Sequence, residues 1–239
     1  MPDKARPRWY FSMRSPYSWL AHHDLTEHFP DVLETVELIA CWEPDQPMTE
    51  RLDAAGVKAL YTPMSRAKHF YILHDVRRLA AARGLKVTWP VDRDPTWDVT
   101  NLAYLMADQA GKGREFLAAC YRKRWAENKV IWDRAVVAEI AGELGLDPVA
   151  AASAADNPEL QQRGVEHMAR ADKEGVFGVP YFVHGRETFW GLDRLSSFVA
   201  AVRGKPVRDY PDYAWRAGVE ETDLWVRAGG DGGHAGGCG

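Results

Sequence analysis

The residues best suited to chemistry are two serines at the start of a predicted helix. Ser15-Pro16-Tyr17-Ser18 follows an aromatic-rich segment, and a serine before a proline is typical of a helix start, with Ser15 near the N-cap. Backbone N–H groups and the positive end of the helix dipole stabilise an anion at this point. A thiol brought to Ser15 would therefore lose its proton more easily, and the serine could donate a hydrogen bond to it. A plain N-cap is the alternative role for Ser15.

A proline far downstream indicates a second part of the same site. Val179-Pro180 opens a predicted strand directly after the run from Gly175 to Gly178. Proline is unusual at such a position in a sheet, and a cis peptide bond, which is almost confined to X–Pro, would explain it. The backbone N–H and C=O groups of Val179 would then be available to an extended peptide. An ordinary edge-strand proline is the alternative interpretation.

The cysteines and histidines exclude two other kinds of site. Cys41, Cys120 and Cys238 lie far apart, and no Cys-x-x-Cys motif occurs, so a dithiol redox motif and a cysteine-based zinc site are excluded. The eight histidines have no spacing typical of a metal site, so no metal is predicted. His22 lies seven positions after Ser15 on the same predicted helix, where it is near the site, a surface histidine or a core histidine.

Charge and hydrophobicity exclude several classes of partner. The formal net charge is -4 and the pI about 6.1, which argues against nucleic acid as a partner. The basic run Arg122-Lys123-Arg124 is interpreted as a solvated helix face. No apolar run of about 18 residues occurs, so no membrane segment is predicted. The N-terminus lacks the apolar region of a signal peptide, and the expected location is the cytoplasm.

The hydrophobic pattern predicts an α/β fold in which helices divide the strands into two groups. Strands are predicted at residues 8–12, 35–41, 179–184 and 187–190, with one helix from Ser15 to about His28 and a final helix ending near Arg203. Helices between the two groups are predicted at residues 63–83, 100–110, 113–128, 134–144 and 158–173, with a short one capped by Asp147. The downstream hairpin cannot bury its own faces, so it should join the N-terminal strands.

Three motifs in this order resemble the 2-hydroxychromene-2-carboxylate isomerase family, which is related to kappa-class glutathione transferases and to DsbA-like thioredoxin proteins. The motifs are Phe11-Ser12-Met13-Arg14-Ser15-Pro16-Tyr17-Ser18-Trp19-Leu20-Ala21, Gly175-Val176-Phe177-Gly178-Val179-Pro180 and Phe189-Trp190-Gly191-Leu192-Asp193-Arg194-Leu195. The resemblance covers about residues 8 to 203. It implies a thioredoxin-like (DsbA-like) α/β fold with a large helical insertion.

The pattern of predicted strands and helices implies a domain division. Residues 1–43 and 176–204 would form the thioredoxin-like domain, and residues 44–175 the inserted helical domain. Residues 205–228 would be a C-terminal extension whose aromatic residues wrap on the body. Residues 229–239, which are rich in glycine, would form a flexible tail.

The resemblance also implies a role for each matched residue in binding glutathione. Ser15 takes the place of a nucleophilic cysteine and would contact the glutathione sulfur, and Ser18 takes the place of a resolving cysteine. The backbone of Val179, next to Pro180, would pair with the cysteinyl part. Further matches are Leu192 and Asp193 at the γ-glutamyl end and Lys68 near the cofactor. Tyr17, Ser18, Trp42 and Tyr181 are the candidate residues of the substrate cleft.

Three positions depart from the family pattern. Ser12 stands where an acidic residue is usual, and Leu192 stands where asparagine, glutamine or serine is common. Tyr181 stands where threonine is usual, and its side chain is large enough to fill part of the thiol site.

The implied function is isomerisation of a conjugated small molecule, enone-like or chromene-like. Family members interconvert a cyclic hemiketal and an open enone, and reversible addition of a thiolate lets the double bond rotate from cis to trans. Glutathione is the candidate cofactor and a homodimer the candidate assembly. The alternatives are a polyene or aryl-enoyl isomerase without glutathione, a kappa-class-like glutathione transferase, and a non-catalytic binding module on a thioredoxin scaffold.

Overall fold

Four strands form one mixed sheet. The computed structural model describes residues 6–60, 64–211 and 213. The strands are β1 (Arg8–Phe11), β2 (Glu37–Ala40), β3 (Tyr181–His184) and β4 (Glu187–Trp190). They lie in the order β2-β1-β3-β4, with β1 parallel to β2 and antiparallel to β3, and β3 antiparallel to β4. The prediction that the downstream hairpin joins the N-terminal strands is confirmed.

Helices connect and cover these strands. They are α1 (Pro16–His28), α2 (Pro30–Thr35), α3 (Gln46–Ala54), α4 (Arg66–Ala82), α5 (Trp97–Gln109), α6 (Gly113–Tyr121), α7 (Arg134–Glu143), α8 (Pro148–Ala152), α9 (Pro158–Lys173) and α10 (Leu195–Arg203). The helix predicted at residues 113–128 differs in kind along its length, because a π-helical turn, Arg122–Ala126, follows α6. The helices α2 and α3 were not predicted. Both have a proline in the first turn, where the missing N–H costs no hydrogen bond. In α2 this residue is Pro30, which follows the end of α1 closely and starts the next helix.

The two faces of the sheet bury different sets of side chains. Along β1, Trp9 and Phe11 point into the larger core, whereas Tyr10 points into a smaller core with Ile39 and Tyr181. This alternation follows from the two-residue period of a strand. The larger core also contains many side chains from the helices between β2 and β3, so strands and helices share one hydrophobic interior. The proposed division into a thioredoxin-like domain and an inserted domain stays a prediction.

The start of the C-terminal extension packs on the body. The ring of Tyr210 lies 5.2 Å from that of Phe29, and its hydroxyl donates to the carboxylate of Asp24. The ring of Tyr213 lies under the guanidinium of Arg83. The rest of the predicted extension, with Trp215 and Trp225, and the predicted flexible tail lie outside the described residues.

The described residues offer neither a helix able to span a membrane nor a cluster of metal ligands. None of their helices combines the length and the apolar character that a membrane span requires. Within the same described residues, no three histidine, cysteine or acidic side chains come together in a way that could hold a metal ion.

Candidate functional site

Three serines form a hydrogen-bonded circuit at the head of α1. The amide of Ser15 donates to the carbonyl of Ser12 at 3.1 Å, and the amide of Ser18 donates to Ser15 Oγ at 3.2 Å. The amide of Ser12 donates to Ser18 Oγ at 3.4 Å and closes the circuit. Ser15 is the N-cap of α1, as predicted, and its Oγ accepts one hydrogen bond while retaining a proton to donate.

Access to this circuit is restricted. Ser15 and Ser18 have no solvent-exposed surface, and Ser12 is 6% exposed. Pro16, in the first turn of α1, is also buried. A ligand therefore reaches Ser15 Oγ only after neighbouring groups move.

The loop around Pro180 is fixed beside the turn that follows β4. The Val179–Pro180 peptide bond is cis, as the sequence suggested, and both residues are buried. The amide of Gly191 donates to the carbonyl of Pro180 at 2.9 Å, with Gly191 at a φ of 95° that favours glycine. This hydrogen bond joins the motif that ends at Pro180 to the motif that contains Gly191.

That turn continues into a short 3-10 segment, Leu192–Arg194, which packs against α1. Leu192 is buried, whereas the side chain of Asp193 is 72% exposed and pairs with Arg194 at 2.8 Å. The structure therefore brings α1, the Pro180 loop and this turn together, with an exposed carboxylate beside them.

The helix α4 covers the first turn of α1 through a polar contact. Tyr17 donates from its hydroxyl to Asp75 Oδ2 at 2.8 Å, and burial together with this carboxylate raises the pKa of Tyr17. Asp75 also accepts from Arg78 at 2.9 Å. Lys68 lies on the exposed first turn of α4, two helical turns before Asp75, and its amide is capped by Ser65.

Two other candidate cleft residues lie in packed interiors. Trp42 is 4% exposed and donates from Nε1 to Asp98 at 2.7 Å. Tyr181 is 5% exposed and packs in the smaller core, with its ring 6.4 Å from Tyr10 and 5.5 Å from Phe177. Trp42 and Tyr181 are therefore buried in this structure, as Ser15 and Ser18 are, and their assignment to the substrate cleft stays a prediction.

A charged cluster next to Ser15 was missed by the sequence reasoning. Arg14 donates from Nε to Asp92 Oδ2 at 3.1 Å and from a terminal nitrogen to Glu43 at 2.9 Å. Arg124 donates to both oxygens of the same Asp92, at 3.0 and 2.9 Å. No periodic signal marks Asp92, which lies in an irregular segment, so its partners become apparent only in three dimensions.

The interpretation of the basic run as a solvated helix face is wrong for two of its three residues. Lys123 is 3% exposed and Arg124 is 2% exposed, whereas Arg122 is exposed. Lys123 contacts Glu139 and Glu143, whose hydrogen bonds raise its pKa above the ordinary value. Buried basic side chains require such acidic partners, and these come from other segments of the chain.

Aromatic rings extend from α1 towards α4. Trp19, one turn after Ser15, stacks on Trp125 with ring centroids 5.7 Å apart, and Trp89 meets Trp125 edge-on at 5.6 Å. His69 on α4 lies 6.5 Å from the partly exposed Trp89. Trp19 and Trp125 are 8% and 1% exposed, so these two rings pack against each other, whereas Trp89 reaches the surface.

His22 packs mainly against aromatic rings rather than in a polar site. Its ring lies 6.3 Å from that of Trp9 and 5.4 Å from that of Tyr121. Burial lowers the pKa of His22 to about 4, so the ring is neutral at pH 7. Of the interpretations left open for His22, the core histidine fits these contacts.

Comparison with known proteins identifies related chains. Residues 8–203 match the family model of the DSBA-like thioredoxin domain. A 2-hydroxychromene-2-carboxylate isomerase from Sphingobium xenophagum is 29% identical over 191 residues, which is 78% of this chain and 92% of that protein.

Solved structures share the fold. One of a 2-hydroxychromene-2-carboxylate isomerase superposes with a TM-score of 0.66 at 22% identity, covering 83% of this chain and 94% of the other. A cytosolic disulfide reductase from Pseudomonas aeruginosa, DsbM with GSH, gives a TM-score of 0.55 at 18% identity, covering 83% and 97%.

Proposed function

We propose, because this chain belongs to the DSBA-like thioredoxin domain family, that it is a cis–trans isomerase of a conjugated, chromene-like or enone-like small molecule. The relative from Sphingobium xenophagum supports the reaction class, since the match extends over most of both chains. We further propose that glutathione is the cofactor and that the enzyme acts in the cytoplasm as a homodimer.

The observation that carries the proposal is Ser15 at the N-cap of α1. Its Oγ accepts from the amide of Ser18 and can donate its own proton to a sulfur anion. The N-terminus of α1 adds a positive partial charge at the same point. This arrangement favours a thiolate without providing a second sulfur, so it supports addition chemistry rather than dithiol exchange.

The residues present fit a thiol tripeptide once the site opens. Val179 offers a backbone edge beside the cis-proline, and the exposed carboxylate of Asp193 suits an ammonium group. When bound, glutathione supplies a thiolate that adds reversibly to a conjugated double bond and so allows rotation about it. Ser15 would then hold the sulfur in its anionic form, and the partly exposed ring of Trp89, beside Trp125, would orient the flat substrate. We propose Lys68 and Leu192 as further cofactor contacts and Tyr17 and Ser18 as cleft residues.

A second candidate is an isomerase that works without glutathione. The full burial of Ser15 favours it, because a cofactor as large as a tripeptide must displace neighbouring groups before its sulfur reaches Oγ.

A spectrophotometric assay distinguishes these possibilities. The full chain is mixed with 2-hydroxychromene-2-carboxylate, and formation of the open trans-enone is followed with glutathione, with S-methylglutathione and with neither. We expect acceleration with glutathione alone. Equal rates in all three mixtures, above the rate in buffer, would favour the second candidate. Absence of any acceleration would contradict the isomerase proposal.

The role of Ser15 is tested by Ser15→Ala. Loss of one hydrogen bond to a charged sulfur should lower kcat by about 10- to 100-fold. The matched control is Asn157→Ala, which removes the N-cap of α9 and leaves the site intact. We expect both variants to lose similar stability, about 1 kcal/mol, whereas only Ser15→Ala loses activity. An undiminished rate in Ser15→Ala would refute the role.

A further inference from the structure

One carboxylate connects the loop that carries Ser15 to the helical part of the chain. Asp92 Oδ2 accepts from Arg14 Nε at 3.1 Å and from Arg124 at 2.9 Å, and its Oδ1 accepts from Arg124 at 3.0 Å. Arg14 directly precedes Ser15. Arg124 lies on the π-helical turn Arg122–Ala126, a type of turn that is frequent at functional sites.

This connection is shielded from water. The side chains of Arg14, Asp92 and Arg124 are 11%, 10% and 3% exposed. Charge-assisted hydrogen bonds in such surroundings hold their geometry more firmly than exposed pairs do. Glu43, the other carboxylate on Arg14, is 30% exposed, so it constrains Arg14 less.

The backbone carries this constraint to Ser15. The amide of Arg14 donates to Ser12 Oγ at 3.3 Å, and the carbonyl of Ser12 accepts from the amide of Ser15. The same carbonyl accepts from the hydroxyl of Tyr121 at 3.1 Å. A shift of the Arg14 side chain therefore changes the turn that sets the direction of Ser15 Oγ.

We propose that Asp92 is a positioning residue, which fixes the turn from Ser12 to Ser15 through the guanidinium of Arg14. Asp92 does not touch the reacting atoms. It accepts hydrogen bonds from the guanidinium groups of Arg14 and Arg124 at once, and this fixes the position of Arg14. Its effect on catalysis rests on the proposed function, whereas its effect on the turn does not.

Amide hydrogen exchange, followed by NMR on the full chain, tests this proposal without any substrate. The variant is Asp92→Asn, which keeps the shape of the side chain and removes its charge. The amides of Ser15 and Ser18 should exchange about tenfold faster, and the control Glu43→Gln should change them less than twofold. The amide of Met168 on α9 serves as the reference for global opening. Unchanged exchange at Ser15 and Ser18, or equal acceleration at Met168, would overturn the proposal.

The path through Arg14 is tested by the double variant Arg14→Gln/Asp92→Asn. If Asp92 acts through Arg14, the double variant should expose the Ser15 amide no more than Asp92→Asn alone does, because coupled residues are not additive. If the two substitutions instead accelerate exchange of the Ser15 amide independently, so that their factors multiply, the path through Arg14 is wrong. If Asp92→Asn does not fold, Arg14→Gln alone provides the same exchange measurement.

Kinetics then separate positioning from binding. Asp92→Asn should lower kcat by about 10- to 100-fold, since a misplacement near 1 Å is sufficient for such a loss, while KM for glutathione stays within about threefold. A change in KM alone would overturn positioning. An inactive wild-type chain would contradict the proposed function, and the exchange result would still decide the role of Asp92.

Discussion

At the scale of single residues, the placement of hydroxyl and thiol groups decides which chemistry is available. Ser15 and Ser18 occupy the head of α1, and the two cysteines in the described part of the chain are buried. Burial raises the pKa of Cys41 to about 12 and that of Cys120 even further, so both are neutral thiols at pH 7. Neither of these two cysteines therefore supplies a thiolate at Ser15.

His22 gives a prediction about pH. The folded chain protonates His22 near pH 4, whereas an unfolded chain does so near 6.5, so the unfolded state binds more protons between these values. The free energy of unfolding should therefore fall as the pH drops from about 6.5 to 4, by up to about 3 kcal/mol from this residue. In His22→Phe this part of the fall should disappear, as measured by urea unfolding at both ends of the window. The exposed His74→Asn is the control, and a profile of His22→Phe that parallels the wild type would contradict the assignment.

At the scale of elements, close approach between helices depends on a glycine. A Cβ on Gly164 in α9 would lie 2.9 Å from Met48 Cε of α3 and 3.1 Å from Leu102 Cδ2 of α5. By contrast, Gly142 in α7 has only Pro148 nearby, at an ordinary 3.7 Å. The two glycines therefore occupy helices for different reasons.

The matched pair Gly164→Ala and Gly142→Ala tests this difference. Alanine in a helix gains up to about 1 kcal/mol over glycine, whereas overpacking costs about 1–3 kcal/mol. We expect Gly142→Ala to raise the free energy of unfolding and Gly164→Ala to lower it. Chemical denaturation of both variants provides the measurement. Stabilisation of Gly164→Ala would mean that the ends of the Met48 and Leu102 side chains shift to make room, and it would contradict this role of Gly164.

At the scale of the whole molecule, the described start of the C-terminal extension packs on a buried ion pair between two helices. Asp24 of α1 and Arg83 at the end of α4 pair at 2.7 Å, with side chains 0% and 2% exposed. The hydroxyl of Tyr210 also donates to Asp24, although Tyr210 lies beyond the family-matched residues 8–203. This contact therefore joins a residue outside the matched region to the ion pair between α1 and α4.

Breaking this pair should be costly because it leaves one charge buried without its partner. Asp24→Ala should lower the free energy of unfolding by about 3–5 kcal/mol, and Arg83→Met in the same background should recover part of the loss. The control is Asp156→Asn at the exposed pair with Arg134, where about 1 kcal/mol or less is expected. Urea unfolding measures all three variants, and equal losses at the two sites would contradict the role of burial.

Elements that follow local rules could be predicted from the amino-acid sequence. Ser15 and Pro16 predicted the start of α1, and Pro180 predicted a special peptide bond, because capping and proline geometry depend on neighbours in the chain. The short helices α2 and α3 were missed, since each depends on packing more than on periodicity.

Which of these residues contact one another depends on the tertiary structure. It joined the carbonyl of Pro180 to Gly191, placed Tyr181 in the smaller core and turned Arg124 inward onto Asp92. Charge pairing and burial depend on residues that are distant in the sequence. A basic run therefore has the same sequence pattern on a solvated face as in an interior lined with carboxylates. The start of α1 could be predicted from the sequence. The cluster of Arg14, Asp92 and Arg124 beside it could not, because it depends on contacts between distant segments.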